Sequence, residues 1–542
     1  MIIVRSVKRR LLFLVTMAGF LVLWQSPALA GDWPMWGGRP DRNMACPEAN
    51  LPNGFDPGLP QTGPLAVNGK IKWSVPLGSE TYGTPTIAGG KVFIGTNNGA
   101  PRDERYRSDA GILLCLDEAD GKLLWQLASR PAMLSGQPLG LSSSAIVEGN
   151  HLYVIGPAAE AFCLNINGLA DASASPCADE LKYLSRVAQG KAKPPVHPAT
   201  TTTAPSPPPS LFSVGPLDAN IIWRYDMVAE LKVFPHDTAH NSPLIYGDIV
   251  FVGTSNGVNS PAERKPASTV PSLIALDQKT GKLLAADDQC IGRRMFHGGW
   301  CSPTLGKVNG LDVIFFGGAD GVLYAFDARV SQAAPSTQPG IMGIPALKNL
   351  WSFDCNPPEY RQRDGQPLKY AAKGDGPCEV IATPVFYSGR VYIAIGQDPQ
   401  HGLGKGCLWC LDPARLDDQG RPTVIWSDKQ IPRSVSTVSI ADGLVYIGDR
   451  AGNVDCLEAD TGKLIWAQDI KSEIWGSTLV ADGKVYVGTK KGVLWILASG
   501  RQALVINKID LHSSICSTPV AANGVLYIAT ARTLYAIQMD GK

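Results

Sequence analysis

The amino-acid sequence predicts an all-β protein: an eight-bladed β-propeller of four-stranded antiparallel blades, its ring closed by the N-terminal strand. Three observations predict it. A strand with a central Tyr or Phe recurs eight times, first as Val92-Phe93-Ile94-Gly95 and last as Leu526-Tyr527-Ile528-Ala529. A Ser/Thr element, often Ser/Thr-Pro, precedes the copies, and alternating strands and a Gly-Lys type of turn follow them. The last copy ends at Tyr535-Ala536-Ile537 with no room for an outer strand, while an orphan Trp-bearing strand, Ile71-Lys72-Trp73-Ser74, stands before the first. Joining the two closes the ring and removes exposed sheet edges. An open β-solenoid would have shorter repeats and no need of this exchange.

Composition sets the bounds. Gly 57 and Pro 42 in 542 residues favour turns over long helices. The 44% apolar content supplies a large core. With 49 Lys+Arg against 48 Asp+Glu, and no basic run beyond the N-terminus, the charge balance gives no case for a nucleic-acid partner.

Taken in order, residues 1–30 read as a secretory signal peptide. Arg5 and Lys8-Arg9-Arg10 precede an apolar stretch from Leu11 to Trp24, and Ala28-Leu29-Ala30 offers a cleavage site before Gly31. That stretch is shorter than the ~20 residues that span a bilayer. No Cys stands at the cleavage site, so the expected location is periplasmic or secreted, without a lipid anchor or a later transmembrane segment. Residues 31–70 then form an N-terminal extension and 71–542 the propeller. The central-aromatic strand recurs around Tyr153, Phe251, Phe315, Tyr392, Tyr446 and Tyr486. The Ser/Thr element stands at Thr84, Ser242, Ser302, Thr383 and Thr518, each before Pro, and in looser form at Ser144, Thr437 and Thr478. An insertion at 165–220 stretches blade 2; its Pro/Thr/Ala-rich part, Lys191 to Ser210, reads as extended chain and not helix. Ala333 to Leu347 forms a smaller loop in blade 4.

Twelve cysteines, an even number, suit an oxidising compartment. Cys115, Cys163, Cys410 and Cys456 share one repeat position with Ala275, Ala325 and Ala536, which marks a small, buried strand residue. Cys355 and Cys378 flank a polar insertion, and Cys290 and Cys301 bracket another loop; both pairs are disulfide candidates. Cys407-Leu-Trp-Cys410 lies in a strand, where residues three apart face opposite sides, so it reads as neither a redox nor a zinc motif.

Two copies carry a longer signature. Cys115-Leu-Asp117-Glu-Ala-Asp120-Gly121-Lys-Leu-Leu-Trp125 and Cys456-Leu-Glu458-Ala-Asp-Thr461-Gly462-Lys-Leu-Ile-Trp466 share one spacing, and Ala275-Leu-Asp277-Gln-Lys-Thr280-Gly281 follows it with Ala285 in place of Trp. This pattern resembles the tryptophan-docking repeat of the pyrroloquinoline-quinone (PQQ) propeller superfamily, in which the turn is made by Asp and Gly and the Trp packs between neighbouring blades. The opening Trp33-Pro34-Met35-Trp36-Gly37-Gly38 resembles that superfamily's N-terminal segment. The superfamily holds quinoprotein dehydrogenases and also non-enzymatic members such as the outer-membrane assembly lipoprotein, so the resemblance implies a fold and leaves the function between two classes.

In such a propeller the loops entering the inner strands, and those between second and third strands, open on one face. Five of the seven His map there: His236, His240, His297, His401 and His512. Asn241, Trp300, Glu379, Arg433 and Trp475 stand just before inner strands, and Asp320 and Asp398 lie in the second loop set. Imidazole, carboxylate, guanidinium and indole around one axis would build a pocket for an anionic or planar ligand. The first functional reading is therefore a binding or scaffold module, its partner a small molecule or a protein on this face. The alternative is a PQQ- and Ca²⁺-dependent dehydrogenase of alcohols or sugars, with Glu379, Asp398 or Asp320 as base or metal ligand. The chain has no adjacent Cys-Cys and no Cys-x-x-Cys-His haem motif, which departs from the alcohol-dehydrogenase branch. Gly253-Thr-Ser255-Asn-Gly257 matches a nucleophile pattern, but the equivalent of Ser255 in blade 1 is Asn97.

Overall fold

Three residues that face one another across each blade organise the repeat. In blade 1 Phe93 lies opposite Cys115, and Cys115 opposite Trp125, so the two rings meet over the small thiol with centroids 5.9 Å apart. The triplet recurs as Tyr153–Cys163–Trp223, Phe315–Ala325–Trp351, Tyr392–Cys410–Trp426, Tyr446–Cys456–Trp466 and Tyr527–Ala536–Trp73. In these blades the rings lie 5.8 to 6.0 Å apart. A larger middle residue would separate them, which is the physical reason for Cys or Ala there. Blade 7 makes the point by contrast: Asn507 stands in place of Trp, and Ile496 fills the middle.

In five blades the Trp also ties its blade to the next. The Nε1–H of Trp73, Trp125, Trp223, Trp426 and Trp466 donates to a carbonyl of the following blade at 2.9 to 3.0 Å. Its ring lies on the signature glycine. At Gly462, with φ +70°, an added Cβ would sit 2.5 Å from Trp426 Cδ2, so both backbone and packing demand glycine.

The computed structural model describes residues 31–58, 70–132, 139–171, 176–190, 212–258, 269–330, 335–338, 341–370 and 374–539. Eight antiparallel sheets follow one another in chain order, and the last pairs Thr533–Gln538 with Ile71–Pro76, closing the ring as the repeat arithmetic requires. The signal peptide and the whole Pro-rich stretch from Lys191 to Ser210 lie outside the described residues. Among the described residues no helix is long and apolar enough to cross a membrane.

The structure adds three things to the sequence reading. The segment expected as an extension ahead of the propeller runs across one end of its central channel. Backbone or side-chain bonds tie residues 33–46 to Ile87, Val147, Pro243, Pro303, Thr383, Ile440, Val480 and Ala521, one contact in each of the eight blades. Ala45–Cys46 adds a fifth, parallel strand to blade 7. Second, the blade 2 insertion holds a helix ahead of its Pro-rich part: Glu180–Ala188, whose Tyr183 donates to Glu160 at 2.7 Å and accepts from the Arg130 backbone N–H. Third, the structure joins neither Cys355 to Cys378 nor Cys290 to Cys301. Their sulfurs face separate partners: Cys355 the Phe353 carbonyl, Cys378 that of Lys405, Cys290 the Gln338 side chain, and Cys301 the Ala382 carbonyl.

Candidate functional site

The channel is lined by the residues that open the inner strands. One hydroxyl per blade forms a belt around the axis: Thr84, Ser144, Ser242 and Ser302 in blades 1 to 4, then Thr383, Thr437, Ser477 and Thr518. Each backbone N–H donates to the hydroxyl of the next blade at 2.9 to 3.3 Å, from Thr84 to Ser302 and from Thr383 round to Thr84. At the remaining junction the Thr383 hydroxyl accepts instead from Trp36 Nε1. Every oxygen in the belt thus accepts a bond and keeps its own proton to donate. In blade 7 the belt residue is Ser477 and not Thr478, whose hydroxyl donates to the Tyr446 carbonyl.

In extended chain, residues two apart share a side. The residue two before each belt hydroxyl therefore also faces the axis. This upper tier is different in every blade: Tyr82, Ser142, His240 and Trp300, then Ile381, Val435, Trp475 and Cys516. Belt and tier enclose a cavity of about 330 Å³. Its floor is Trp36, held by Arg42, whose fully buried guanidinium donates to the carbonyls of Trp36, Pro243 and Pro303 at 2.7 to 2.9 Å. Burial pushes the Arg42 pKa down to about 9, so it stays charged at neutral pH.

The mouth mixes charge with aromatic faces. Lys490 stands 4.0 Å over the Trp475 ring, which lies against Tyr82 at 6.2 Å. Arg450, paired with Glu473 at 2.6 Å, stacks on the same indole. Asp237, Asp398 and Gln400 complete the wall.

On the blade 4–5 side the wall thickens into an imidazole cluster. Asp398 caps a 3₁₀ turn, Pro399–His401, through the Gln400 backbone N–H at 2.8 Å. His297 arrives from the loop entering blade 4. One donor atom each from His297, Asp398 and His401 lies within 4.8 Å of the others. The His236 ring is 4.0 Å from that of His297, and its Nδ1 meets the Val258 carbonyl. Tyr370 lies 5.8 Å from His297 and 5.0 Å from His401, accepts the Asp398 backbone N–H and donates to Glu379. Desolvation, with the neighbouring imidazoles, pushes the His297 pKa down to about 2; desolvation also lowers His401 and takes His240 to about 4. All three are neutral nitrogen bases at pH 7.

The structure separates the sequence candidates. His240, Trp300, Trp475 and Asp398 line the cavity, and His236, His297 and His401 gather beside it. His512 does not join them: with φ +55° it stands half-exposed beside Asp510 on the outer rim. Asn241 turns away from the axis to donate to Ser255. Arg433 is buried behind the wall and donates to the carbonyls of His401, Gly402 and Asp375. Asp320 is bound to Arg294 and Tyr324. Glu379 lies behind Tyr370, where burial raises its pKa well above the ordinary carboxyl value. Sequence reasoning missed Lys490, Tyr370, Trp36 and the tier of Ser142, Ile381, Val435 and Cys516. Counting two residues back from each Ser/Thr element would have found the tier.

The repeats and the closed ring define an eight-bladed β-propeller, similar in fold to the PQQ-like propellers. A family model described as outer membrane protein assembly factor BamB matches residues 65–196 and 414–542. Among solved structures, BamB from Moraxella catarrhalis is 13% identical with TM-score 0.50, covering 88% of this chain and 99% of its own. Two quinohemoprotein alcohol dehydrogenases, from Comamonas testosteroni and Pseudomonas putida HK5, are 11% and 12% identical with TM-scores 0.54 and 0.55; each covers 94% of this chain and 81% of its own. At such identities the likeness is one of fold. No curated protein sequence matches the chain.

Proposed function

We propose that the protein is an exported binding module that holds a small, oxygen-rich ring compound, of the carbohydrate class, in its axial cavity. The observation that carries this reading is the junction of belt and tier. Eight hydroxyls with no acceptor among the described residues line a chamber whose upper wall is Trp300, Trp475 and Tyr82. Hydroxyl donors want an acceptor-rich ligand, and indole faces want a flat, weakly polar ring surface. The volume falls at the lower end of ligand pockets, and the closed floor makes it a chamber and not a passage.

The quinoprotein alternative fits these residues poorly. PQQ is a tricarboxylate, and among the described residues the one cation lining the cavity is Lys490, against two lining carboxylates, Asp237 and Asp398. Ca²⁺ takes six to eight oxygen ligands, whereas the one His/Cys/Asp/Glu group found among the described residues has two imidazoles and a single carboxylate. Neither partner of that cofactor finds its usual surroundings here.

The test is a Trp-fluorescence and calorimetric titration of the purified chain with hexoses, uronic acids, disaccharides and, separately, PQQ with Ca²⁺. Saturable binding of a sugar, lost by at least tenfold in Trp475→Ala and His240→Ala with the melting temperature kept, supports the reading. Tight PQQ binding, or sugar binding indifferent to both substitutions, would overturn it.

A further inference from the structure

We propose that His297, His401 and Asp398 form a binding site for a divalent transition-metal ion of the zinc class, set in the wall of the axial cavity. The inference does not depend on what the cavity itself holds.

The local fold builds the site from short-range parts. Asp398 and His401 are three apart on a 3₁₀ turn, the spacing at which side chains eclipse. His297 is delivered by a loop pinned to blade 3, where the Val258 N–H bonds the His297 carbonyl at 3.0 Å. The three donor atoms lie within 4.8 Å of one another. A tetrahedral zinc with bonds of about 2.0–2.1 Å would hold them about 3.4 Å apart. Modest side-chain rotation covers that difference.

A second, independent observation points to a ligand. His297 is 95% buried, yet its Nδ1 has no hydrogen-bond partner among the described residues. A buried polar nitrogen left so loses its water without recompense, and a metal ion close by would supply an acceptor for an imidazole lone pair. The surroundings are those of a supported ligand set. Tyr370 packs on both imidazoles and accepts the Asp398 backbone N–H at 3.0 Å, while its own proton goes to Glu379 at 2.7 Å. The nearest guanidinium, Arg433, faces backbone carbonyls, including those of His401 and Gly402.

The donor set chooses the ion. Two nitrogens and one carboxylate suit zinc and its first-row neighbours, and not Ca²⁺ or Mg²⁺. Three protein ligands leave a fourth position open. Because Asp398 also lines the cavity, that position belongs to water or to an oxygen of the cavity's occupant.

The experiment uses the full purified chain after chelator treatment. Zn²⁺ is titrated by calorimetry and Co²⁺ by visible absorption, with Ca²⁺ as competitor and no sugar present. One equivalent of Zn²⁺, Co²⁺ bands of four- or five-coordinate intensity and no displacement by Ca²⁺ are expected. His401→Ala and Asp398→Asn should each weaken Zn²⁺ by at least about tenfold, and His512→Ala should change nothing. His401 is half-exposed, so its variant keeps the test alive even if His297→Ala fails to fold; circular dichroism and melting check each protein. Equal Zn²⁺ affinity in wild type and His401→Ala, absence of stoichiometric binding, or displacement by Ca²⁺ would overturn the site. Each of these outcomes is read without the cavity ligand, so sugar binding stands or falls separately.

Discussion

The belt and the tier two residues above it are neighbours on the same eight segments, yet they follow opposite rules. At the belt every blade supplies a hydroxyl, because each must accept the backbone N–H of the blade before it, or at one junction the Trp36 indole. One job repeated around a ring admits one answer. The tier carries no contact that repeats from blade to blade, and there the eight blades offer the cavity phenol, hydroxyl, imidazole, two indoles, two aliphatic chains and a thiol. Repetition builds the frame, and function gathers where the copies diverge.

The largest effect that would break this division lies beneath the belt. Arg42→Met removes donors from three buried carbonyls in two blades and the floor, and should cost about 4 kcal/mol, seen as a marked fall in melting temperature. If it is neutral, the N-terminal segment is not part of the frame. Next comes a divergent residue inside the frame. Asp455 occupies a third-strand position where other blades carry Leu114, Phe162, Ile274 or Trp409. Burial, with Asp449 and Asp428 nearby, pushes its pKa up to about 7. An acid raised in the fold makes the folded state bind the extra proton, so stability falls as pH rises from about 4 to 7. Asp455→Asn should therefore stabilise the protein at pH 8, by on the order of 2 kcal/mol, and change little at pH 4.5. A melting series across that range checks it. The smallest effects separate belt from tier directly. Ser242→Ala and Thr437→Ala should each cost about 1 kcal/mol in stability, at similar size, with cavity binding weakened by the loss of one donor in eight and so by less than in Trp475→Ala.

The sequence was legible wherever one residue answers to a local or repeated demand. The central aromatics, the Cys/Ala position and the signature Gly and Trp each recur because the same cross-strand contact recurs, and the orphan Trp73 strand could be assigned to blade 8 by counting alone. The site was legible in part. Loop position placed His240, Trp300, Trp475 and Asp398 on the correct face, but not the direction of a side chain. Asn241 and His240 are adjacent, and the pleat sends one to Ser255 and the other to the axis. His512 shares a loop class with His297, yet its left-handed backbone turns it outward.

What the sequence determined by itself is the ring: eight blades, their order and their closure, because these follow from periodic contacts between residues near in the chain or in register across a blade. Only the tertiary structure decided the chamber. Residues 33–46 reach all eight blades, and His297 meets His401 across the blade 4–5 boundary; both depend on convergence at an axis that no single repeat contains. A repeat specifies its neighbours, and the space enclosed by eight of them is specified only when the circle is complete.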